Sequence, residues 1–384
     1  MPQNKKDSTV ATSTACAIVF CLFSFLYIYC YQTPTLAYEQ HVLSGGVTVY
    51  HPLVSAILIT LAGHLLQFIV YSLTRLREAS HALTYLPSML LLSLLTSAHP
   101  DGNGELSMGA WTWLLPLIII LYFCLINVIK QWISVASSPA PYLSSHVLQI
   151  NLFTMVAMML FTLNVCNGDE LFHRQIRAEK LLLENRYAEL SKEGQGRSLL
   201  AQRTGITFFD SRYNSNSERT DSILTLMRFI AMDHQGTLAD SAFTQPVVGG
   251  VRSLIQQHDV HPLLFSRRFL IRRKSFDYRL CALLAERDLD TFARLLSSKV
   301  NVNDSTARDS LPRHYKEALV LYQHLRSKPL TAYNDPVLET DYRDMRDMQK
   351  KCVSVDEKKQ LLRQSYQNNY WNYYGELYLE STER

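Results

Sequence analysis

Five basic residues lie close together in the second half of the sequence. They are Arg267, Arg268, Arg272, Arg273 and Lys274, and no acidic residue separates them. Basic side chains beside a bilayer are attracted to anionic lipid headgroups by about 1 kcal/mol each. The cluster is therefore a candidate contact for lipid or for a partner, and the alternative is a solvated surface without a ligand.

Tyrosine recurs near the end of the chain. Tyr366, Tyr370, Tyr374 and Tyr378 are spaced four residues apart, which predicts that they share one stripe of a helix. One interpretation is a terminal helix that packs on the preceding helices. The other is an aromatic surface that contacts a partner or lipid headgroups, because tyrosine combines an apolar ring with a polar hydroxyl.

Four polar residues stand in otherwise apolar stretches of the first half: His64, Gln67, Asn127 and Gln149. Polar and ionisable groups inside a membrane are costly, and they commonly mark a pathway for a solute or a proton. Such groups also form hydrogen bonds between helices and hold a helix bundle together. Both interpretations stay open, and interhelical hydrogen bonding is the one that we favour.

Motifs for metal or cofactor chemistry are weak in this sequence. His258 and His261 flank Asp259 at a spacing that suits one helix face, but no third ligand is identifiable and Pro262 follows directly. The sequence contains no glycine-rich phosphate loop, nucleophile elbow, HExxH or paired-cysteine motif. We predict no catalytic residue, no metal and no cofactor, which favours a protein that is not an enzyme.

The elements that position these residues differ sharply between the two halves of the chain. Between Ser8 and Gly168, only seven residues are charged, whereas residues 169–384 contain 62. A soluble domain needs roughly a quarter of its positions charged, so the first half requires lipid as its solvent. The second half balances 33 basic against 29 acidic residues. That balance predicts no nucleic-acid partner.

A helical span needs about 20 apolar residues to cross a bilayer. After a tail over residues 1–10, five segments of the region 11–166 approach this length. The segments are 11–31, 52–73, 83–98, 111–132 and 146–165. The segment 83–98 is short and contains Pro87, so a tilted or re-entrant segment is its alternative. The remainder, 167–384, is predicted to be a soluble helical domain, and the fold class is all-α.

The orientation follows from the basic residues in the short connections, since positively charged loops stay in the cytoplasm. Lys5 and Lys6 precede the first span, Arg75 and Arg77 follow the second, and Lys130 follows the fourth; the other two loops have none. Five crossings therefore predict a cytoplasmic N-terminus and an extracytoplasmic C-terminal domain. If 83–98 does not cross, the prediction inverts.

The soluble half predicts a series of helices that begin and end at recognisable residues. Apolar periodicity predicts one amphipathic helix or a helical hairpin over residues 169–192, and a helix over 222–235 that is stopped by Gly236. Residues 275–297 predict two antiparallel helices that meet at about Arg287 and Asp288, and Pro312 opens another helix.

Two phrases of this half, LLAERDLDTFA (Leu283–Ala293) and YKEALVLY (Tyr315–Tyr322), resemble fragments of tetratricopeptide repeats. The resemblance implies a superhelical stack of helical hairpins with a groove for a peptide or protein. The alternative is a compact helical domain without repeats. The whole chain also resembles uncharacterised bacterial multi-pass membrane proteins with such a helical region, which implies the cytoplasmic (inner) membrane of a bacterium as its location.

These patterns predict a membrane-anchored interaction or scaffold protein. Its partners would be the lipid bilayer and a protein or membrane complex. The alternative is a transporter, or a membrane-embedded enzyme subunit that acts on a lipid or cell-envelope substrate, with His64, Gln67, Asn127 and Gln149 as its polar path.

Overall fold

The structure is a computed structural model that is almost entirely helical where it is described. The described residues are 2–76, 78–101, 106–135, 146–192, 217–244, 262–265 and 275–375, except 303, 305, 307, 308 and 367. Within these ranges the only strands are β1 (His99–Pro100) and β2 (Leu106–Ser107), which pair antiparallel. The predicted all-α class is confirmed. The chain divides into two compact units, Met1–Asp169 and Glu170–Arg384.

The first unit is a bundle of apolar helices. Its helices are α1 (Pro2–Leu26), a π-helical turn (Tyr27–Gln32), α2 (Thr33–Leu43), α3 (Pro52–Thr74), a 3₁₀ helix (Glu78–Tyr85), α4 (Leu86–Leu95), α5 (Trp111–Val135) and α6 (Val147–Val165). Among the described residues, four helical segments are long and apolar enough to cross a membrane: Val10–Leu43, Pro52–Thr74, Trp111–Val128 and Val147–Val165. The predicted span 83–98 corresponds to a shorter apolar helix, Ala79–Leu95, so this one of the five predicted spans falls short of full length.

This shorter helix lies parallel to α6 and is aligned with it. The backbone N–H of Ala82 donates to Asn151 Oδ1 at 2.7 Å, and Ser93 Oγ lies 3.1 Å from Thr162 Oγ1. Beyond the helix end, the N–H of Asn167 donates to the backbone oxygen of Thr96 at 2.6 Å. Because the first two pairs have the same sequence separation, 69 residues, the two segments lie parallel and cover the same depth of the bundle.

The first apolar helix is longer than its predicted end at residue 31. Pro34 lacks a backbone N–H and would interrupt an ordinary helix, yet the helix continues through the π turn to Leu43. The hydroxyl of Thr33 donates to the backbone oxygen of Tyr29 at 2.9 Å and lies 3.1 Å from that of Ile28. This side chain satisfies carbonyl groups at the irregular turn, so the chain passes it without ending the helix.

The second unit contains the charged, helix-forming half of the chain. Its helices are α7 (Glu170–Leu183), α8 (Tyr187–Leu190), α9 (Ser217–Gln235), α10 (Leu238–Ser241), α11 (Phe276–Glu286), α12 (Leu289–Ser297), α13 (Arg313–Leu325), α14 (Pro336–Lys351) and α15 (Val355–Ser365), followed by a helical segment over 370–375. Helices α11 to α14 each pack on the next one along the chain.

Local signals explain where these helices begin and end. Gly236, with φ of 68°, follows α9 as predicted, because glycine tolerates a left-handed backbone. The predicted helix pair over 275–297 is confirmed as α11 and α12. Arg287 adopts φ of 63° between them, and the side chain of Asp288 accepts a hydrogen bond from the Thr291 N–H at 3.0 Å, which caps α12.

Candidate functional site

Two of the four polar residues predicted within spans, Gln67 and His64, face the interior of the first unit. Gln67 is buried and donates from Nε2 to Thr84 Oγ1 at 3.1 Å. Nδ1 of His64 is buried without a hydrogen-bond partner. The Gln67 contact ties α3 to the 3₁₀ helix, as expected for a polar group that joins helices.

The other two residues point away from the interior, so the predicted polar path is not assembled in this structure. Asn127 is exposed on α5, where Tyr122 and Ile126 supply the buried face. Successive residues of a helix are rotated by about 100°, and this rotation carries Asn127 outward. Gln149 is exposed in the first turn of α6, where its Oε1 lies 2.6 Å from Nδ1 of His146.

The basic cluster Arg267, Arg268, Arg272, Arg273 and Lys274 lies outside the described residues, as does Tyr378. The remaining tyrosines do not form the predicted stripe. Helix α15 ends at Ser365, so Tyr366 occupies its C-cap, and helical structure resumes only at Tyr370. The break rotates and displaces the later tyrosines relative to Tyr366.

Tyr370 belongs to the core, not to a surface. Its side chain is fully buried, and its hydroxyl donates to the backbone oxygen of Leu284 at 2.8 Å. Burial raises the pKa of Tyr370 well above its ordinary value. Tyr366 and Tyr374 are half-buried against the same core. The interpretation in which the terminal segment packs on preceding helices therefore describes Tyr370 correctly.

A buried carboxylate anchors this terminal segment to α13. Glu317 is fully buried, and its Oε2 accepts a hydrogen bond from the backbone N–H of Tyr370 at 2.7 Å and lies 3.0 Å from Nδ1 of His314. Its Oε1 accepts from Nε of Arg313 at 2.8 Å. Buried charge requires such partners. Arg313 also contacts Asn369, so two successive residues of the terminal segment, Asn369 and Tyr370, are tied to α13.

A basic groove lies between the end of α13 and the second half of α14. It has a volume of about 410 Å³, and the residues that line it are His324, Leu325, Tyr342, Arg343, Arg346, Asp347 and Lys350. Four of these side chains are basic or imidazole groups and one is acidic. Sequence reasoning did not single out this groove as a site.

The floor of the groove is built by stacked rings. Tyr342 is buried, and its ring lies 4.6 Å from that of His324 at an angle of 27°. On its other side Tyr342 meets Trp371 edge to face at 5.3 Å. Nε2 of His324 lies 2.8 Å from Oε2 of Glu339 on α14. These contacts hold the end of α13 against α14 and so fix the width of the groove.

The charges of the groove are only partly compensated. Lys350 pairs with Asp347 at 2.8 Å, and His324 contacts Glu339. Arg343 and Arg346 are exposed, and neither makes an ion pair within the described part of the chain. Burial raises the pKa of Tyr342, and the nearby charge of Arg346 opposes that shift. Two guanidinium groups are therefore available to an anion.

The basic residues of this groove alternate with acidic residues along the sequence, so they do not form a recognisable basic cluster. Helix α14 reads PVLETDYRDMRDMQKK, so its net charge is close to zero and no basic run stands out. Arg343, Arg346 and Lys350 are nevertheless spaced by three and four residues, which places them on one helix face. That spacing is a usable signal, but only the packing of α13 identifies the face as a groove. Among the described residues, no three His, Cys, Asp or Glu side chains group as metal ligands.

Comparison with known protein families finds a similarity in the second unit. Residues 271–375 match the model of a family of unknown function (DUF6057). The matched segment lies wholly within the second unit and includes α11 to α15 and the groove. No curated protein and no solved structure matches the chain.

Proposed function

We propose that this chain is a membrane-anchored interaction protein whose helical second unit binds a protein partner. The observation that carries the proposal is the groove on α13 and α14, where Arg343 and Arg346 are exposed without ion partners in the described residues. Exposed cations of this kind suit recognition of an acidic surface. The first unit supplies apolar helices that hold the groove at a membrane.

The succession of helices in the second unit supports a role in binding. Helices α11, α12, α13 and α14 pack in chain order, each on the next. This is the arrangement that a stack of helical hairpins requires, and such stacks present grooves to peptides. The tetratricopeptide-like architecture is part of this proposal, as is a bacterial cytoplasmic membrane as the location.

We further propose five crossings, with the second unit on the extracytoplasmic side. The segment Ala79–Leu95 is short, but its hydrogen bonds to α6 align it in parallel with a full-length apolar helix. Its first part is a 3₁₀ helix, which rises about 2.0 Å per residue and therefore reaches further than an α-helix. With five crossings, Lys5, Arg75 and Lys130 all fall on the cytoplasmic side, as the positive-inside rule expects.

Protease access in intact cells tests this sidedness. We expect the second unit to be cleaved from outside after the outer envelope is opened, while the inner membrane stays sealed. Cleavage only after the inner membrane is breached would contradict five crossings. It would leave the binding proposal standing.

A second candidate function, transport or catalysis within the membrane, is favoured by one observation. Nδ1 of His64 and Nε2 of His81 are buried in the first unit without hydrogen-bond partners, and the ring of Tyr85 lies between them, 6.5 Å and 6.1 Å from the two imidazoles. Unsatisfied polar atoms in such a place are costly and call for a functional reason. Proton flux into proteoliposomes that is lost in His64→Phe and His81→Phe would favour this candidate.

Site-specific photo-crosslinking tests the proposed interaction. Leu325 lines the groove and is 43% exposed, whereas Leu183 on α7 is 42% exposed outside it. With a benzophenone amino acid at either position in native cells, we expect a discrete protein adduct from position 325 and none from 183. The proposal fails if position 325 yields no protein adduct or gives the same adducts as position 183.

A further inference from the structure

We infer that the groove binds an extended acidic segment of a partner protein, with Arg343 and Arg346 as the residues that recognise its carboxylates. The inference rests on the proposed function and names the chemistry of the partner. It concerns the groove lined by His324, Leu325, Tyr342, Arg343, Arg346, Asp347 and Lys350.

The arrangement of the cations favours an extended ligand. Arg343, Arg346 and Lys350 follow one face of α14, and seven residues at a rise of about 1.5 Å separate the first from the last by roughly 10 Å. A single phosphate is smaller than this row and would engage one end of it. Carboxylates spaced along an extended chain match the row because alternate side chains of such a chain point the same way.

The pairing inside the groove selects the two arginines as the specific contacts. Lys350 is already held by Asp347, while no such partner occupies the guanidinium groups of Arg343 and Arg346 in the described residues. A guanidinium group presents parallel N–H donors that match a carboxylate in two hydrogen bonds. Each arginine can thus hold one acidic side chain of the partner.

Helix electrostatics alone do not account for these arginines. Cations in the last turn of a helix offset the negative end of its dipole, and this explains Lys350 and Lys351. Arg343 lies two turns before the end of α14, where the dipole effect has faded. The face of α14 that carries these arginines is also bordered by a second helix, because Leu325 at the end of α13 lines the same groove.

The apolar part of the groove provides the second half of the contact. Leu325 is partly exposed at one wall, and the stacked rings of His324 and Tyr342 form the floor. An acidic segment that also carries an apolar side chain could bury it there. The combination of a central apolar pocket and flanking charges is the usual design of a peptide-binding surface.

Fluorescence anisotropy with the full-length protein in detergent tests the inference. The probe is a fluorescein-labelled peptide of alternating Glu and Ser residues with one central Leu, and its counterpart replaces Glu with Lys. We expect the acidic peptide to bind and the basic one not to bind. Affinity should fall as salt is raised, because exposed charges are screened. In R343E/R346E the affinity should drop at least about tenfold.

Matched variants and competitors make the outcome decisive. The control K299E/K328E reverses two charges that are also exposed but lie outside the groove, and it should bind as the wild type does. Thermal unfolding of each variant shows whether the fold is retained. Three outcomes would overturn the inference. The first is an equal loss of affinity in both double variants, and the second is competition by inorganic phosphate at the same concentration as the peptide. The third is a preference of the protein for vesicles of anionic lipid over the peptide. A crosslinked partner at position 325 whose binding ignores R343E/R346E would leave the proposed function intact and remove only this inference.

Discussion

Trp371 donates a hydrogen bond from its indole Nε1 to the backbone oxygen of Glu317, with 2.8 Å between the two atoms. The carboxylate of the same Glu317 accepts the backbone N–H of Tyr370. One residue of α13 therefore holds two successive residues of the terminal segment. Trp371 in turn packs on Tyr342, which forms the floor of the groove. Trp371, near the end of the segment that matches the family, thus packs against a residue that lines the groove.

Glu317→Ala should destabilise the second unit by about 3 kcal/mol. The change removes the acceptor for the Tyr370 N–H and the partner of His314 Nδ1, and both groups are buried. Thermal unfolding of the full-length protein, followed by tryptophan fluorescence, measures the effect. Glu286→Ala, at an exposed position of α11, is the control. A loss no larger than that of the control would show that Glu317 is not an anchor.

Tyr370→Phe and Tyr366→Phe should differ, although both tyrosines belong to the stripe that the sequence predicts. The hydroxyl of Tyr370 bonds the backbone oxygen of Leu284 in the core, so its removal should cost about 1 kcal/mol. Tyr366 is half-buried at a helix end, and its change should cost little. Thermal unfolding compares the two variants. Equal losses of stability in the two variants would instead support the predicted single stripe of tyrosines.

Glu179 on α7 is a buried carboxyl group held by amides. Leu263 N–H donates to its Oε2 at 2.8 Å, Leu264 N–H donates to the same atom at 2.6 Å, and Gln175 Nε2 donates to its Oε1 at 2.8 Å. These bonds favour the charged form, but burial disfavours it more and raises the pKa of Glu179 from 4.5 to about 7. Two backbone amides of the segment 262–265 are thus hydrogen-bonded to a side chain of α7.

The shift of Glu179 gives a pH dependence with a definite sign. Because the folded pKa lies above the unfolded value, the folded protein holds more protons between pH 4.5 and about 7. The free energy of unfolding from this group therefore falls as pH rises through that window, by about 3 kcal/mol in all. In Glu179→Gln this component is absent. The melting temperature of the wild type should therefore fall relative to that of Glu179→Gln as pH is raised from 5 to 8.

The exposed Ala188→Gln, which introduces an amide side chain without changing a titratable group, provides the control for this comparison. It should leave the pH dependence of melting unchanged. If the wild type and Glu179→Gln differ by the same amount at every pH, the carboxyl group does not titrate in this range.

Gly63→Val should loosen the first unit. A Cβ at Gly63 would lie 3.0 Å from Cζ of the buried Phe20, which is closer than ordinary van der Waals contact, and Ser88 Oγ donates to the Gly63 backbone oxygen at 2.7 Å. Close approach of helices in membranes depends on such small residues. We expect a cost of about 1–3 kcal/mol, measured as a lower melting temperature in detergent. Ala62→Val, exposed on the same helix, should be neutral; equal effects would contradict the close contact.

Local patterns predicted much of the helical architecture. Apolar length predicted helices able to cross a membrane, and Gly236, Asp288 and Pro312 predicted helix ends that the structure shows. These features depend on residues a few positions apart, so they can be read along the chain. The end of the first apolar helix was missed because the Thr33 hydroxyl satisfies carbonyl groups around a π turn, and that compensation is invisible in composition.

By itself, the sequence determined which parts of the protein need lipid and which need water, because solvation depends on the local density of charge. The tertiary structure alone decided which polar groups meet. It placed Tyr370 in the core and Asn127 on the outside, and it set the end of α13 beside Arg343 and Arg346 to make a groove. Such contacts join residues far apart in the chain, so their partners are chosen by packing and not by spacing.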